Sequence, residues 1–255
     1  MTTQNTTQQQ SNKELFKINT NILIDISKTL KEFITDIKIN ISNDGLKIQE
    51  YDNVNICFLD FNLNKGIFEN LINDNINIGL NIEILYKLLK ENKKTDVVLK
   101  TDHKKLYLSF SNGLNSEMDL IDLNDFQEQN INQIHNLEFN TEIDINSKKF
   151  KDIIKHFYSN DKKICLSYDD LNKTELKIYT EKSNITLNTD EIFIKNAGLS
   201  SYSKSNYSTE YLFKLSKILF TEKIILKYSS DYPLLMEFKT DLFKIKYILA
   251  PRVEN

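Results

Sequence analysis

The chain has 255 residues, 40% of them hydrophobic, with 33 Lys+Arg against 36 Asp+Glu and a formal net charge of -3. That length holds one large domain or two ordinary ones, each with a sizeable core, and the absence of any run of ~18 apolar residues excludes a membrane-spanning helix. The acid excess excludes nucleic-acid binding through the whole surface, so any such contact must be confined to one basic face.

In chain order, MTTQNTTQQQSN is polar low-complexity sequence, and residues 1–13 are expected to be a disordered tail. No basic segment followed by an apolar one occurs there, so no secretory signal is expected. LFKI (15–18) reads as a strand and 21–34 as a helix. DIKINIS and GLKIQEY then flank the turn Asn43-Asp44-Gly45, a strong hairpin signal, and 54–63 is a further strand. A second unit repeats the plan: INIGL, a helix at 81–91, then VVLKT and KLYLSF around Asp102-His103. The stretch 119–137 is polar and acidic with isolated Leu, Phe and Ile, and is expected to be a connector belonging to neither core. The third unit has LEFNTEIDI, a helix at 147–158 capped by Ser147, then KICLSYD, ELKIYTE and NITLNTD. The fourth has a helix at 209–219 after Ser208-Thr209, then KIILKYS, PLLMEF and FKIKYIL, stopped by Ala250-Pro251 because proline cannot donate to a ladder. The expected class is α+β: two similar domains, 14–118 and 138–255, each with two helices on one side and antiparallel sheets on the other.

Each helix pairs an apolar stripe with a cationic one, since residues three or four apart share a face. Ile22, Ile26, Leu30 and Phe33 are expected inside, with Lys28 and Lys31 outside. Leu85, Leu88 and Leu89 oppose Lys87 and Lys90, while Phe150, Ile153, Ile154 and Phe157 oppose Lys148, Lys151 and Lys155. Leu212, Leu215, Ile218 and Leu219 oppose Lys214 and Lys217. One lysine pair on a helix is ordinary solvated surface. Four helices of four, in a chain with more acid than base, suit a phosphate backbone, whose contacts are sequence-independent and salt-sensitive. The one arginine, Arg252, lies outside the helices, so base reading is not expected.

Chemistry of other kinds has little local support. The five glycines are isolated, so there is no phosphate-cradling loop, and His103, His135 and His156 lack the spacing of metal ligands. Cys57 and Cys165 sit in apolar strand patterns and read as reduced core thiols. No cofactor, metal or catalytic residue is expected.

The C-terminal string YILAPRV (247–253), the DYPL turn before it, and Gly45, Gln49 and Asp52 in the first hairpin resemble the proliferating cell nuclear antigen family of DNA sliding clamps. The resemblance implies a DNA clamp fold that closes into a homotrimeric ring around duplex DNA and serves as a polymerase processivity factor. Lys31, Lys87, Lys90, Lys155 and Lys214 fall where that family has basic residues lining the hole, whereas Asp25 and Asp152 depart from the pattern. It further implies a groove for a partner's short hydrophobic peptide, floored by Tyr51, Ile56 and Phe58. Phe126, Ile131 and Ile134 would wall this groove, and Pro233, Ile248, Ala250 and Pro251 would close it. Ring closure would pair edge strands at 105–110 and 175–179, carrying Leu106, Leu108 and Phe110 and Leu176 and Ile178. Implied partners are DNA polymerase, other replication and repair proteins with such a peptide, and an ATP-dependent clamp loader. The implied location is nuclear, or a viral replication compartment, since the Asn-rich composition and Gln/Thr tail point toward a viral or protist source. Two alternatives stand beside this: a clamp-fold protein working as one subunit of a heterotrimeric or checkpoint ring or as a monomeric processivity factor, and an unrelated α+β enzyme.

Overall fold

The computed structural model describes residues 12–127, 131–169, 175–188, 190–196, 202–217 and 221–253. Most of the tail, and Ile218 and Leu219 of the fourth helix, lie outside them. Lys13 does not belong to the tail; it begins the first strand, opposite Thr101.

The first half runs β1 (Lys13–Asn19), α1 (Thr20–Leu30), β2 (Asp36–Ser42), β3 (Gly45–Tyr51), β4 (Cys57–Asn64), β5 (Ile76–Asn81), α2 (Ile82–Lys90), β6 (Asp96–Thr101), β7 (Lys105–Phe110) and β8 (Asn115–Asp119). A one-turn helix, α3 (Asn132–His135), lies in the connector. The second half runs β9 (Thr141–Asn146), α4 (Ser147–Tyr158), β10 (Lys163–Asp169), β11 (Glu175–Tyr179), β12 (Asn184–Leu187), β13 (Ile192–Asn196), β14 (Tyr202–Ser208), α5 (Thr209–Ser216), β15 (Lys223–Tyr228), β16 (Leu234–Lys239) and β17 (Phe243–Leu249).

The helices start where strands end in a residue with a short polar side chain. Asn19, Asn81 and Asn146 each keep extended backbone and accept an N–H of the first helical turn. Ser147 is therefore not the cap expected of it. Asn146, one residue earlier, accepts from the Lys149 N–H at 3.0 Å, and Ser147 becomes the first helical residue. Ser208 does cap α5 in position, without a side-chain bond. In α1 the buried stripe is Leu23, Ile26, Ser27 and Leu30; Ile22 flanks it and is 36% exposed, contrary to expectation.

The strands form two four-stranded sheets, β1-β6-β7-β8 and β12-β11-β10-β14, and one nine-stranded sheet, β13-β9-β15-β16-β17-β4-β3-β2-β5. β17, from the second half, pairs with β4 of the first, so the large sheet crosses the molecule. On one side its side chains join the helices in a single core. There α1 packs on α2 and α4 on α5. Glu32, just beyond α1, pairs with Lys217, just beyond α5, at 3.0 Å, and the Phe33 and Tyr211 rings lie 6.0 Å apart. The helices thus form one row, α2-α1-α5-α4.

The expected edge strands are corrected. β7 and β11 are interior, and Leu106, Leu108, Phe110, Leu176 and Ile178 are buried in the core. Each is followed by a tight turn and one more strand, β8 or β12, which takes the edge. At the opposite edges, β1 is stitched to the 65–72 loop through Lys17 with Glu69 and Leu15 with Ile72. β14 is stitched through Lys204 with Asp231 and Asn206 with Arg252. The C-terminal tail thus leaves β17 at Pro251 and docks on another sheet.

Asp52 ties this frame together. It is 4% exposed; its Oδ1 accepts the Ile56 and Cys57 N–H groups at 2.6 and 2.7 Å, and its Oδ2 accepts the Tyr211 hydroxyl at 2.5 Å. Burial first, and then the Asp52 carboxylate, raise the Tyr211 phenol well above its ordinary pKa, so it stays a donor. Asp52→Ala strands buried donors and should lower stability by about 3 kcal/mol, whereas Tyr211→Phe should cost about 1 kcal/mol. Urea denaturation midpoints of the two variants and the parent check this; a Tyr211→Phe midpoint equal to the parent's would show that the bond between the halves contributes nothing.

Candidate nucleic-acid face and partner groove

The row of helices turns a lysine-rich surface outward. Lys28, Lys87, Lys90, Lys148, Lys155 and Lys217 are exposed, and Lys31, Lys151 and Lys214 partly so. Two aromatic clusters organise them. The Lys31 and Lys90 ammonium groups lie 4.9 and 5.9 Å from the Tyr86 ring centre, drawing α1 and α2 charges together. Across α4 and α5, Tyr158 stacks on Phe213 at 4.1 Å, Lys217 lies 5.4 Å from Phe213, and Lys214 lies 5.5 Å from Tyr211.

Acids temper this surface. Lys87 pairs with Glu83 at 3.1 Å, Lys214 with Glu210 at 2.8 Å and Lys217 with Glu32 at 3.0 Å. Such surface pairs are worth about 0–1 kcal/mol and exchange readily for another anion. Lys28, Lys148 and Lys155 have no carboxylate partner among the described residues. Asp25 and Asp152 are exposed between them.

The opposite side of the large sheet carries an apolar row. Strand register sets Tyr51 of β3 beside Phe58 of β4, Phe58 beside Ile248 of β17, and Ile248 beside Leu235 of β16. The Tyr51 and Phe58 rings are 4.9 Å apart. Ile131, Ile134, Leu137 and Phe139 of the connector pack on this row. Ile56 stands at its rim, 41% exposed, where its carbonyl accepts the Ala250 N–H at 2.9 Å; Pro233 and Pro251 are half-buried. Beyond Leu235 the row ends in Lys227, paired with Glu142 at 2.7 Å.

Phe126 is a correction. It lies against Gly79 on β5, at the far edge of the sheet, where a Cβ on Gly79 would fall 2.5 Å from its ring. The Ile121 N–H donates to the Gly79 carbonyl beside it. The start of the connector is thereby fastened to the first half rather than belonging to neither. Leu235, Leu137 and Phe139 have no marker in the sequence pattern. Leu235 sits in the continuous run PLLMEF, which is buried on both faces, and alternation could not assign it to the outer one.

Among the described residues no three His, Cys, Asp or Glu side chains come together to hold a metal ion. Cys57 is fully buried, and burial pushes its thiol well up.

Residues 14–135 match the family model for the proliferating cell nuclear antigen, N-terminal domain. Just under half of the chain is thus similar to the proliferating cell nuclear antigen family. Its relatives include proteins named DNA polymerase sliding clamp. That of Methanococcus maripaludis (strain C7) is 24% identical over 236 residues, covering 87% of this chain and 92% of the relative. That of Pyrococcus furiosus is 23% identical over 234 residues, covering 89% and 93%. The fold is similar to the A. fulgidus antigen in its complex with the C-terminal region of FEN-1, with a TM-score of 0.83, 19% identity and coverage of 95% and 99%. It is also similar to the antigen from Thermococcus kodakaraensis, with a TM-score of 0.79, 18% identity and coverage of 93% and 100%.

The berth for Phe126 generates a test. Gly79→Ala should evict the ring and cost about 1–3 kcal/mol by overpacking. Hydrogen exchange should quicken at the Ile121 amide while the β3–β4 amides are unaffected; unchanged exchange at Ile121 would show that this anchor does not hold the connector.

Proposed function

We propose that this protein is a DNA sliding clamp: a homotrimeric ring that encircles duplex DNA and tethers polymerase and other replication and repair proteins, with no catalytic role of its own. The carrying observation is the coincidence of a lysine row with two strand edges at its ends that no other described strand pairs. β8 packs beside α2, and Ile185 of β12 lies with Ile153 and His156 of α4, so the row α2-α1-α5-α4 runs from one free edge to the other. A strand edge left open invites pairing, and a head-to-tail ring satisfies both at once.

Such a ring turns all the lysine rows toward its hole. Contacts there are to phosphate, which lets the ring move without reading bases. Arg252 supports this division, since its guanidinium donates to the Lys162 carbonyl at 3.0 Å, away from the helices. The apolar row then lies on the side away from the lysines, where it would take a partner peptide in which aromatic anchors supply most of the affinity. Loading onto closed DNA falls to a separate ATP-driven machine, and the reading carries with it a nuclear site of action or a viral replication compartment. The second reading, a clamp fold that joins other subunits or holds DNA as a monomer, draws on the net charge of only -3.

Light scattering after size exclusion, across a dilution series, separates these. The homotrimer predicts a persistent species of about three 29.9 kDa chains, and a clean monomer overturns it. Hydrogen bonds from Phe110 to Leu114 and from Leu120 to Lys104 fix the alternation of β8, so that Asn115, Glu117 and Asp119 turn their backbone groups outward. Glu117→Pro removes one outward N–H and should yield a monomer that melts within a few degrees of the parent; a persistent trimer would clear β8 of the joint. For the DNA face, replacing Lys28, Lys148 and Lys155 by Ala should shorten retention on nicked circular DNA. It should also lower the slope of log K against log salt by about 0.9 for each phosphate left unneutralised. An unchanged slope would remove these lysines from the interface.

A further inference from the structure

We infer that the connector's one-turn helix is a plug: Ile131 and Ile134 occupy the apolar groove themselves, and they must swing out before a partner's hydrophobic peptide can seat. This rests on the clamp reading for the identity of the incoming peptide, but the occlusion itself is geometric. The groove floor is closed. Phe58 is 1% exposed, Ile248 5% and Leu235 8%, although all three face away from the helix-side core. What covers them is connector: Ile131, Ile134, Leu137 and Phe139, with Tyr51 alongside. A wall would flank the floor and leave it open; this floor is buried, and these residues pack on it.

The covering turn is built to come away. α3 has four residues, its N-cap Ile131 offers no side-chain bond, and the Ile134 N–H donates to the Ile131 carbonyl at 3.1 Å. A single turn of that kind has no stability of its own and stays only while its isoleucines are packed. Firm anchors lie on either side. Upstream, Ile121 bonds Gly79 and Phe126 sits against it. Downstream, the Asn140 N–H donates to Ser229 Oγ at 2.9 Å and Phe139 meets Tyr232 edge-on at 5.8 Å. The turn can leave the groove while both anchors hold, so opening does not require the sheet or the connector's ends to yield.

The device sets a threshold for partners. A peptide exchanges its own side chains for Ile131 and Ile134 on one floor, so its apparent affinity is its intrinsic affinity reduced by the fraction of time the turn is out. Side chains that fill no more of the groove than isoleucine have no advantage over the plug. Ring-bearing side chains, which cover Phe58, Ile248 and Leu235 more fully, do.

The test pairs Ile131→Ser/Ile134→Ser with the parent protein, using a fluorescein-labelled peptide that carries one aliphatic and two aromatic side chains. The plug predicts that the double variant binds the peptide about tenfold more tightly, chiefly through faster association. It also predicts that peptide binding to the parent speeds hydrogen exchange at amides 131–137. Weaker binding by the variant, together with slowed exchange in the parent, would make these residues a wall and overturn the inference. The parent's exchange result stands alone should the variant not fold. If the peptide binds neither protein, a dye that fluoresces on apolar surface decides. Brighter dye on the variant upholds the plug and overturns the partner reading, and no change overturns the plug.

Discussion

Backbone pairing between β4 and β17, from Phe243 opposite Leu63 to Leu249 opposite Cys57, makes one sheet out of two repeated halves. Other features of functional interest depend on it. It brings the helices of both halves onto one side, where the Glu32–Lys217 and Tyr211–Asp52 contacts lock the row. It also aligns Tyr51 and Phe58 with Ile248 and Leu235 on the other side, so that the groove floor belongs to neither half alone. A pairing shifted by one residue would turn Phe58 or Ile248 into the core and remove the floor.

The two faces of the sheet solve opposite problems. On the helix side, charge has to be presented without cost to the core, and the lysines do this by lying over Tyr86, Phe213 and Tyr211 or by pairing with nearby acids. On the far side, apolar surface has to be held ready without inviting aggregation, and the connector covers it with four side chains of its own. The weakly acidic total conceals this separation, because charge balance over the whole chain says nothing of where the lysines stand.

Local chemistry made part of this legible. Asp44-Gly45 marks a turn because Gly45 has a φ of +139°, and the strands on either side alternate cleanly. The helices show because their apolar residues recur at helical spacing. The edges do not show. NSEMD of β8 is short and largely polar, and NITL of β12 reads as a strand but carries no mark of its edge place, so 105–110 and 175–179 read as edges although they are interior. Phe126 was legible as an apolar side chain needing cover, but its berth is the missing Cβ of Gly79, far off in sequence and visible only once β5 is in place. Ile131 and Ile134 pack on the apolar row, yet no pattern in sequence distinguishes a side chain beside a floor from one lying on it.

The placement of β17 has a consequence for how the chain is made. Residues 243–249 are near its C-terminal end, but they form a central strand, flanked by β16 and β4. During synthesis β4 and β3 can pair early, while the other edge of β4 waits for nearly all the remaining chain to emerge. Until then that edge exposes Phe61 and Leu59 beside unpaired backbone, the combination that recruits other strands. The first half therefore keeps an unpaired edge until β17 closes the sheet, and truncation short of Leu249 would reopen the middle of the molecule rather than trim its end.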